Sequence, residues 1–255
     1  MEMIIKSDTL SFTIKDKEIN GIFGNHLEDF IEKLSLSSKD KIMINNKEIK
    51  EELISYQKKI KIVRDTIDTY YLSKKVYECM YLELKENNYY LKDPKKKIID
   101  TLNLVGLDIT YLTHNINDLS TSEKKLLQIG IALMANPKVI VLQEPFKCLD
   151  KKNERKITVL LRKMKEQYDK TIIILSNDSN TLYKYTTHLI IEKSHKVLLE
   201  GNTEECFKNI ELLEKEQIPV PDIVEFTYLA NTEKNAKIDY HKDIRDIIKD
   251  IYKHV

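Results

Sequence analysis

Two uninterrupted apolar runs, Val139-Ile-Val-Leu142 and Thr171-Ile-Ile-Ile-Leu175, constrain this chain more than any other feature. Both are mostly β-branched and neither alternates with polar residues, the pattern of strands buried on both faces of a parallel sheet. Parallel neighbours need a crossover between them. Residues 152–168 supply one, because Ile157, Leu160, Leu161 and Met164 recur at i, i+3, i+4 and i+7 and predict a helix with a single apolar stripe. Together these segments make a βαβ unit. Upstream, residues 120–134 read as another helix closed by Asn136-Pro137, which implies a second βαβ pass. Downstream, 189–191 and 197–199 stand too close for a helix between them and predict a closing hairpin. Residues 10–14, Ile19–Phe23, Lys41–Ile44 and 58–63 read as further strands, with a short helix at 27–34. Residues 65–115 read as helical, rich in Tyr and Lys, with Pro94 marking a break. After Gly201, Ile218-Pro-Val-Pro221 is an extended connector, and 241–254 carries Ile244, Ile247, Ile248 and Ile251 on one helical face.

Charge and residue usage exclude several classes. Among 255 residues, 42 Lys+Arg stand against 41 Asp+Glu, a formal net charge of +1. Such a balance gives no long-range field for a phosphate backbone, so no nucleic acid is expected as a partner. Cys79, Cys148 and Cys206 lie far apart without a C-x-x-C pair, which argues against a disulfide framework or a zinc site and for a reducing cytosolic compartment. No apolar run approaches the roughly 20 residues that a bilayer requires. Glycine is scarce: there are 5 in all. Any glycine-rich cradle for phosphates must therefore be drawn from Gly21, Gly24, Gly106, Gly130 and Gly201 alone.

Between Asp118 and Asp150 four landmarks follow one another. They are Leu119-Ser-Thr-Ser-Glu123, a helix with Lys124, Lys125 and Gln128, a hydrophobic strand ending Gln143-Glu144-Pro145, and Leu149-Asp150. In this order and spacing the chain resembles the nucleotide-binding domain of ATP-binding cassette (ABC) transporters, which carries an L-S-G-G-Q/E signature, a strand ending D-E-P and an L-D loop. Ile174-Leu-Ser-Asn177-Asp178 stands where that family has a switch histidine, and 188–201 looks like its terminal hairpin. Residues 201–224 are similar to the C-terminal region of the ATPase subunits of energy-coupling factor (ECF) transporters, which import vitamins and metal ions. The resemblance implies an α/β fold: a P-loop NTPase-like ABC ATPase core at 1–64 and 136–204, a helical subdomain with the signature at 65–135, and a small C-terminal helical appendage at 205–255.

The chemistry expected of that scaffold is largely replaced. A phosphate loop needs G-x-x-x-x-G-K-[ST], so that backbone amides cradle the phosphates while lysine neutralises them. Here the corresponding string is Gly21-Ile-Phe-Gly24-Asn25-His-Leu-Glu-Asp-Phe30, with no Gly-Lys-Ser/Thr and with Glu28 and Asp29 to repel a triphosphate. Gln143 replaces the aspartate that helps hold Mg²⁺, keeping an acceptor without the charge. Glu144 matches the family's general base and is retained. Asn177 replaces the switch histidine, and Asp65 stands where the family has a glutamine. Thr121 and Ser122 replace the signature glycines that let a helix N-terminus approach the partner's γ-phosphate.

Plainer roles stand beside these. Ser120-x-x-Glu123 is also a capping box, which stabilises a helix start by about 1 kcal/mol in any protein. Glu144 reads equally as a structural hydrogen-bonding group, Asn177 as an ordinary polar residue at a strand end, and the isoleucine stripe as local packing or a dimer contact. The resemblance then implies a degenerate ATPase subunit, inactive by itself, bound to a transmembrane transporter subunit on the inner face of the cell membrane. A second ATPase subunit with an intact phosphate loop would supply ATP and Mg²⁺, with none held tightly by this chain alone. Ser120, Thr121, Ser122, Glu123 and Asp150 would face that partner's nucleotide. The alternatives are an active ATPase with atypical ligands and a soluble regulatory adaptor that kept the fold.

Overall fold

The computed structural model describes residues 2–6, 11–24, 41–44, 47–48, 60–87 and 92–253. The expected helix at 27–34, Asn25 of the phosphate-loop position and the start of the expected 58–63 strand lie outside the described residues, as do Tyr89 and Tyr90.

Among the described residues, ten strands make two sheets: β1 (Glu2–Lys6), β2 (Ser11–Lys15), β3 (Ile19–Phe23), β4 (Lys41–Ile44), β5 (Lys47–Glu48), β6 (Ile60–Val63), β7 (Val139–Gln143), β8 (Thr171–Leu175), β9 (His188–Lys193) and β10 (Lys196–Asn202). One sheet is antiparallel in the order β2-β1-β4-β5. The other runs β10-β9-β3-β8-β7-β6; its five strands from β9 to β6 are parallel and β10 returns antiparallel as an edge. The two apolar runs are thus the interior parallel strands that their composition predicts, with every residue of β8 and all of β7 except Gln143 buried.

Helices fill the crossovers. Between β6 and β7 lie α1 (Thr69–Leu72), α2 (Val76–Glu86), α3 (Pro94–Val105) and α4 (Thr121–Met134), with two 3-10 turns before α4. The helical stretch is interrupted before Pro94, as expected: α2 ends at Glu86 and Pro94 opens α3, its missing N–H costing nothing in the first turn, where Asp93 accepts from Lys96 N at 2.9 Å. Helix α5 (Lys151–Glu166) joins β7 to β8 and buries the four residues its periodicity selects, Ile157, Leu160, Leu161 and Met164. Each such burial is worth roughly 1.5–3 kcal/mol. Helix α6 (Ser179–Tyr185) joins β8 to β9. One apolar cluster runs from Leu142 and Ile174 in the sheet through Leu126 and Leu127 of α4 to Phe207.

After β10 come α7 (Thr203–Phe207), α8 (Ile210–Lys215), α9 (Asp222–Lys234) and α10 (Ile244–Lys253). The isoleucine stripe of α10 does not pack as one surface: Ile247 is buried, whereas Ile244 is 65% and Ile248 45% exposed. No helix of the described residues is long and apolar enough to cross a membrane.

Scarce glycine leaves a mark on the backbone. Among the described residues, ten that are not glycine occupy the left-handed region, where a Cβ meets the following carbonyl. Gln217 is the clearest case. It follows α8 at φ 55°, with Gln217 N–H donating to Glu214 O at 2.9 Å and Ile218 N–H to Leu213 O at 2.8 Å, the helix ending that glycine usually fills. Gln217→Gly should therefore raise unfolding free energy by about 1 kcal/mol and the melting temperature by about 2–4 °C. A lower melting temperature in a calorimetric scan would refute this reading of the turn.

Candidate functional site

Parallel strands present their carboxyl ends along one edge, where α/β sheets bind ligands. Four of the residues singled out above meet there, brought by register: Val63 pairs with Leu142 and Gln143 with Leu175. Asp65 follows β6, Gln143 ends β7 with Glu144 next to it, and Asn177 follows β8.

Glu144 adopts a left-handed φ of 45° and its N–H donates to Leu175 O at 2.8 Å. Its carboxylate turns to the neighbouring strand end. Oε2 accepts from the Ser176 hydroxyl at 2.8 Å and Oε1 from the Asn177 backbone N–H at 2.8 Å. Glu144 is thus a brace between the ends of β7 and β8, with each oxygen already bonded to the switch segment. Asn177 contributes its backbone to this brace and is otherwise exposed.

Asp65 gathers two lysines. Lys125 Nζ, on α4, is 2.9 Å from Oδ1, and Lys147 Nζ is 2.9 Å from Oδ2. Lys125 is only 7% exposed and also donates to Glu144 O at 2.5 Å. The Asp65 N–H in turn donates to Gln143 Oε1 at 3.3 Å. Burial raises the Asp65 carboxyl, but hydrogen bonds and charges from Lys147 and Lys125 outweigh it and hold it below the usual carboxylate range. The stabilisation this gives is complete above the ordinary Asp value near about 4 and is lost as pH falls through the depressed native value. The stability gap between wild type and Asp65→Asn, from urea titrations, should narrow steadily below about pH 4. A gap that stays constant down to pH ~2 would show that the carboxylate is not paired.

At the signature, Ser120 caps α4 and the box is complete. Glu123 Oε2 accepts from Ser120 N and Ser120 Oγ, both at 2.8 Å, and Glu123 N–H donates to Ser120 Oγ at 3.3 Å. Tyr111 OH adds a third donor to this carboxylate, at 2.5 Å from Oε1. That hydroxyl is the largest cause holding the Glu123 carboxyl below its usual range, and the same bond pushes Tyr111 up to about 12. Ser120 and Thr121 are exposed, whereas Ser122 is buried. Asp150 is exposed and caps α5 by accepting from Asn153 N at 2.8 Å and Asn153 Nδ2 at 2.9 Å.

The two glycines of the phosphate-loop position serve packing. A Cβ on Gly21 would lie 2.9 Å from Thr186 Cγ2 and 3.0 Å from Leu182 Cδ2. One on Gly24 would lie 2.5 Å from Glu192 Oε2 and 3.2 Å from the Glu192 carbonyl oxygen. Glu192 is buried beside Gly24, so a carboxylate stands where the loop leaves β3. Lys147, Ser176, Tyr111 and Glu192 have no role legible in the sequence, and Lys125 stands there only as part of the helix after the signature. Only Lys125 carried a signal, as a lysine among the buried Leu126, Leu127 and Ile129. Among the described residues no cluster of three His, Cys, Asp or Glu could hold a metal. Among the described residues, the position of the metal carboxylate is an amide that accepts from Asp65 N–H, and Lys125 and Lys147 both pair with Asp65.

Comparison with known proteins gives a consistent picture. The family model described as ABC transporter matches residues 7–147. The chain is 31% identical over 150 residues to the energy-coupling factor transporter ATP-binding protein EcfA2 of Clostridium perfringens, covering 58% of this chain and 52% of that protein. It is 24% identical over 247 residues to EcfA2 of Caldanaerobacter subterraneus subsp. tengcongensis, covering 93% and 85%. In the first and in three further relatives the match spans about half of the relative's length. Among solved structures, cbiO1 of Clostridium perfringens, part of the ABC transporter complex cbiONQ, superposes with a TM-score of 0.70 at 24% identity, covering 88% of this chain and 96% of that one. A nucleotide-free ATP-binding cassette from an ABC transporter gives a TM-score of 0.68 at 21% identity, covering 86% and 97%. These structural likenesses give the fold: an ABC ATPase cassette.

Proposed function

This chain belongs to the ABC transporter family, and from that premise we propose that it is a degenerate ATP-binding subunit of the energy-coupling factor type. It pairs with a second ATPase subunit whose phosphate loop is intact, and couples that partner's ATP to a membrane transporter for small molecules such as vitamins or metal ions. One observation carries the reading: the groups at the strand ends are satisfied by one another. Glu144 is bonded to Ser176 and Asn177, and Asp65 to Lys125 and Lys147. The absence of Gly-Lys-Ser/Thr after Gly24 supports it. ATP and Mg²⁺ then sit on the partner's phosphate loop, faced across the interface by Ser120, Thr121 and Asp150 of this chain.

Residues 1–64 and 136–204 form the ATPase core, 65–135 the helical subdomain and 205–255 the appendage. A cleft of about 350 Å³ opens beside Asp65, lined by Arg64, Asp68, Tyr71, Glu83 and Gln128 among others. Its wall combines charges, including the 2.6 Å Lys61–Glu83 pair, with Ile62, Ile67 and Ile131, and suits an amphipathic helix of the membrane subunit. The protein thus sits peripherally on the inner face of the membrane. Affinity purification of the tagged chain from its own cells, in mild detergent, tests this. Recovery of a membrane protein together with an ATPase containing G-x-x-x-x-G-K-[ST] is the expected result. Recovery of a partner ATPase that lacks this motif would exclude the mechanism.

A further inference from the structure

The lysine pair around Asp65 does more than replace lost chemistry. It joins three segments far apart in the chain: Asp65 after β6, the turn after β7 that carries Glu144 and Lys147, and Lys125 on α4, which lies 60 residues from Asp65 and 19 from Glu144. Asp65 has a lysine on each carboxylate oxygen, and its N–H is tied to Gln143. Lys125 reaches Asp65 from the buried face of α4, with its own side chain only 7% exposed. Any rotation of α4 against the strand ends stretches its bonds to Asp65 Oδ1 and Glu144 O together. It would leave a buried ammonium without its two acceptors and Glu144 O with the Lys147 N–H alone, an unfavourable state because the Lys125 side chain is only 7% exposed.

We infer that the Asp65–Lys125 contact, completed by Lys147 and Glu144 O, is a lock that fixes the angle between helix α4 and the carboxyl ends of β6 and β7. The helical layer of this chain then holds one position whether or not nucleotide is offered. Its consequence rests on the proposed function: in a transporter this half would carry the partner's motion as one rigid body. The lock itself is a property of the chain alone.

Pulsed electron–electron spin resonance on the full chain tests it. Labels are placed at Lys85→Cys on α2, which packs against α4, and at Lys196→Cys on β10, with exposed Cys148 replaced by serine and buried Cys79 and Cys206 left in place. The expected result is one narrow distance distribution, unchanged by millimolar Mg-ATP, that broadens or shifts in Asp65→Asn and in Lys125→Met. Asp65 is 25% exposed, so Asp65→Asn provides a folded variant even if Lys125→Met does not. A wild-type distance that moves with Mg-ATP would overturn the lock, and so would variants with the wild-type distribution. Calorimetry on the same sample separates the two ideas: Mg-ATP binding without a change in distance would refute the degenerate-subunit reading and leave the lock standing.

Discussion

In the proposed complex of this chain with a second ATPase subunit, Glu144→Gln is expected to leave ATP turnover within about twofold of wild type. Replacing the phosphate-loop lysine of the partner subunit should lower it at least about 100-fold, the usual loss when one well-placed charge-stabilising group is removed. The asymmetry follows from what each group touches. Glu144 is bonded to Ser176 Oγ and Asn177 N, and beside it stands an amide, Gln143, where a metal carboxylate would be needed. Glutamine at 144 keeps one acceptor for the Asn177 N–H, and its amide nitrogen can donate to a rotated Ser176 hydroxyl, so the brace survives the change. Turnover is measured on the purified complex at saturating Mg-ATP. A loss of more than about tenfold from Glu144→Gln would make this chain's own site catalytic and contradict the assignment.

Lys125→Met is expected to lower the unfolding free energy by about 2–3 kcal/mol, and the melting temperature by roughly 4–12 °C. The substitution preserves length and apolar stem but removes the ammonium, leaving Glu144 O with the Lys147 N–H as donor and Asp65 with the Lys147 ammonium alone. Removing one partner of a buried pair costs about 3–5 kcal/mol. The lower figure applies because Asp65 is 25% exposed and water can solvate what Lys125 leaves behind. Urea titration is the appropriate measurement, since a shift in midpoint at constant slope isolates stability. A variant as stable as wild type would mean that methionine packing repays the lost pair in full.

What could be read from the residues and what could not divide along a physical line. The interior strands 139–143 and 171–175, the four buried residues of α5 and the 188–202 hairpin were legible because burial and periodicity act over a few residues. The capping box of Ser120 and Glu123 was legible for the same reason. The appendage was legible as helical, yet the even distribution of polar and apolar residues in α9 gave its limits no signal, and the stripe of α10 overstated its packing. At the site, the absences were readable: no Gly-Lys-Ser/Thr, Gln143 in place of an acid, Asn177 in place of histidine. The replacements were not. Lys147 and Asp65 are 82 residues apart and Ser176 and Glu144 are 32 apart; such pairs have no local pattern, since only the sheet register brings them together. Gly21 and Gly24 show the same limit. They suit a phosphate loop by position, but the neighbours that forbid a Cβ are Thr186, Leu182 and Glu192, contributed by α6 and β9 and the segment between them.

Isothermal titration of the purified chain alone with a non-hydrolysable Mg-ATP analogue, up to millimolar concentration, bears most directly on the central claim. The account predicts no saturable heat from the isolated chain, and saturable binding once the partner subunit is added. One-to-one binding to the chain by itself, lost on substitution of Gly24 or Gln143, would show that it keeps a working triphosphate site and would contradict the account.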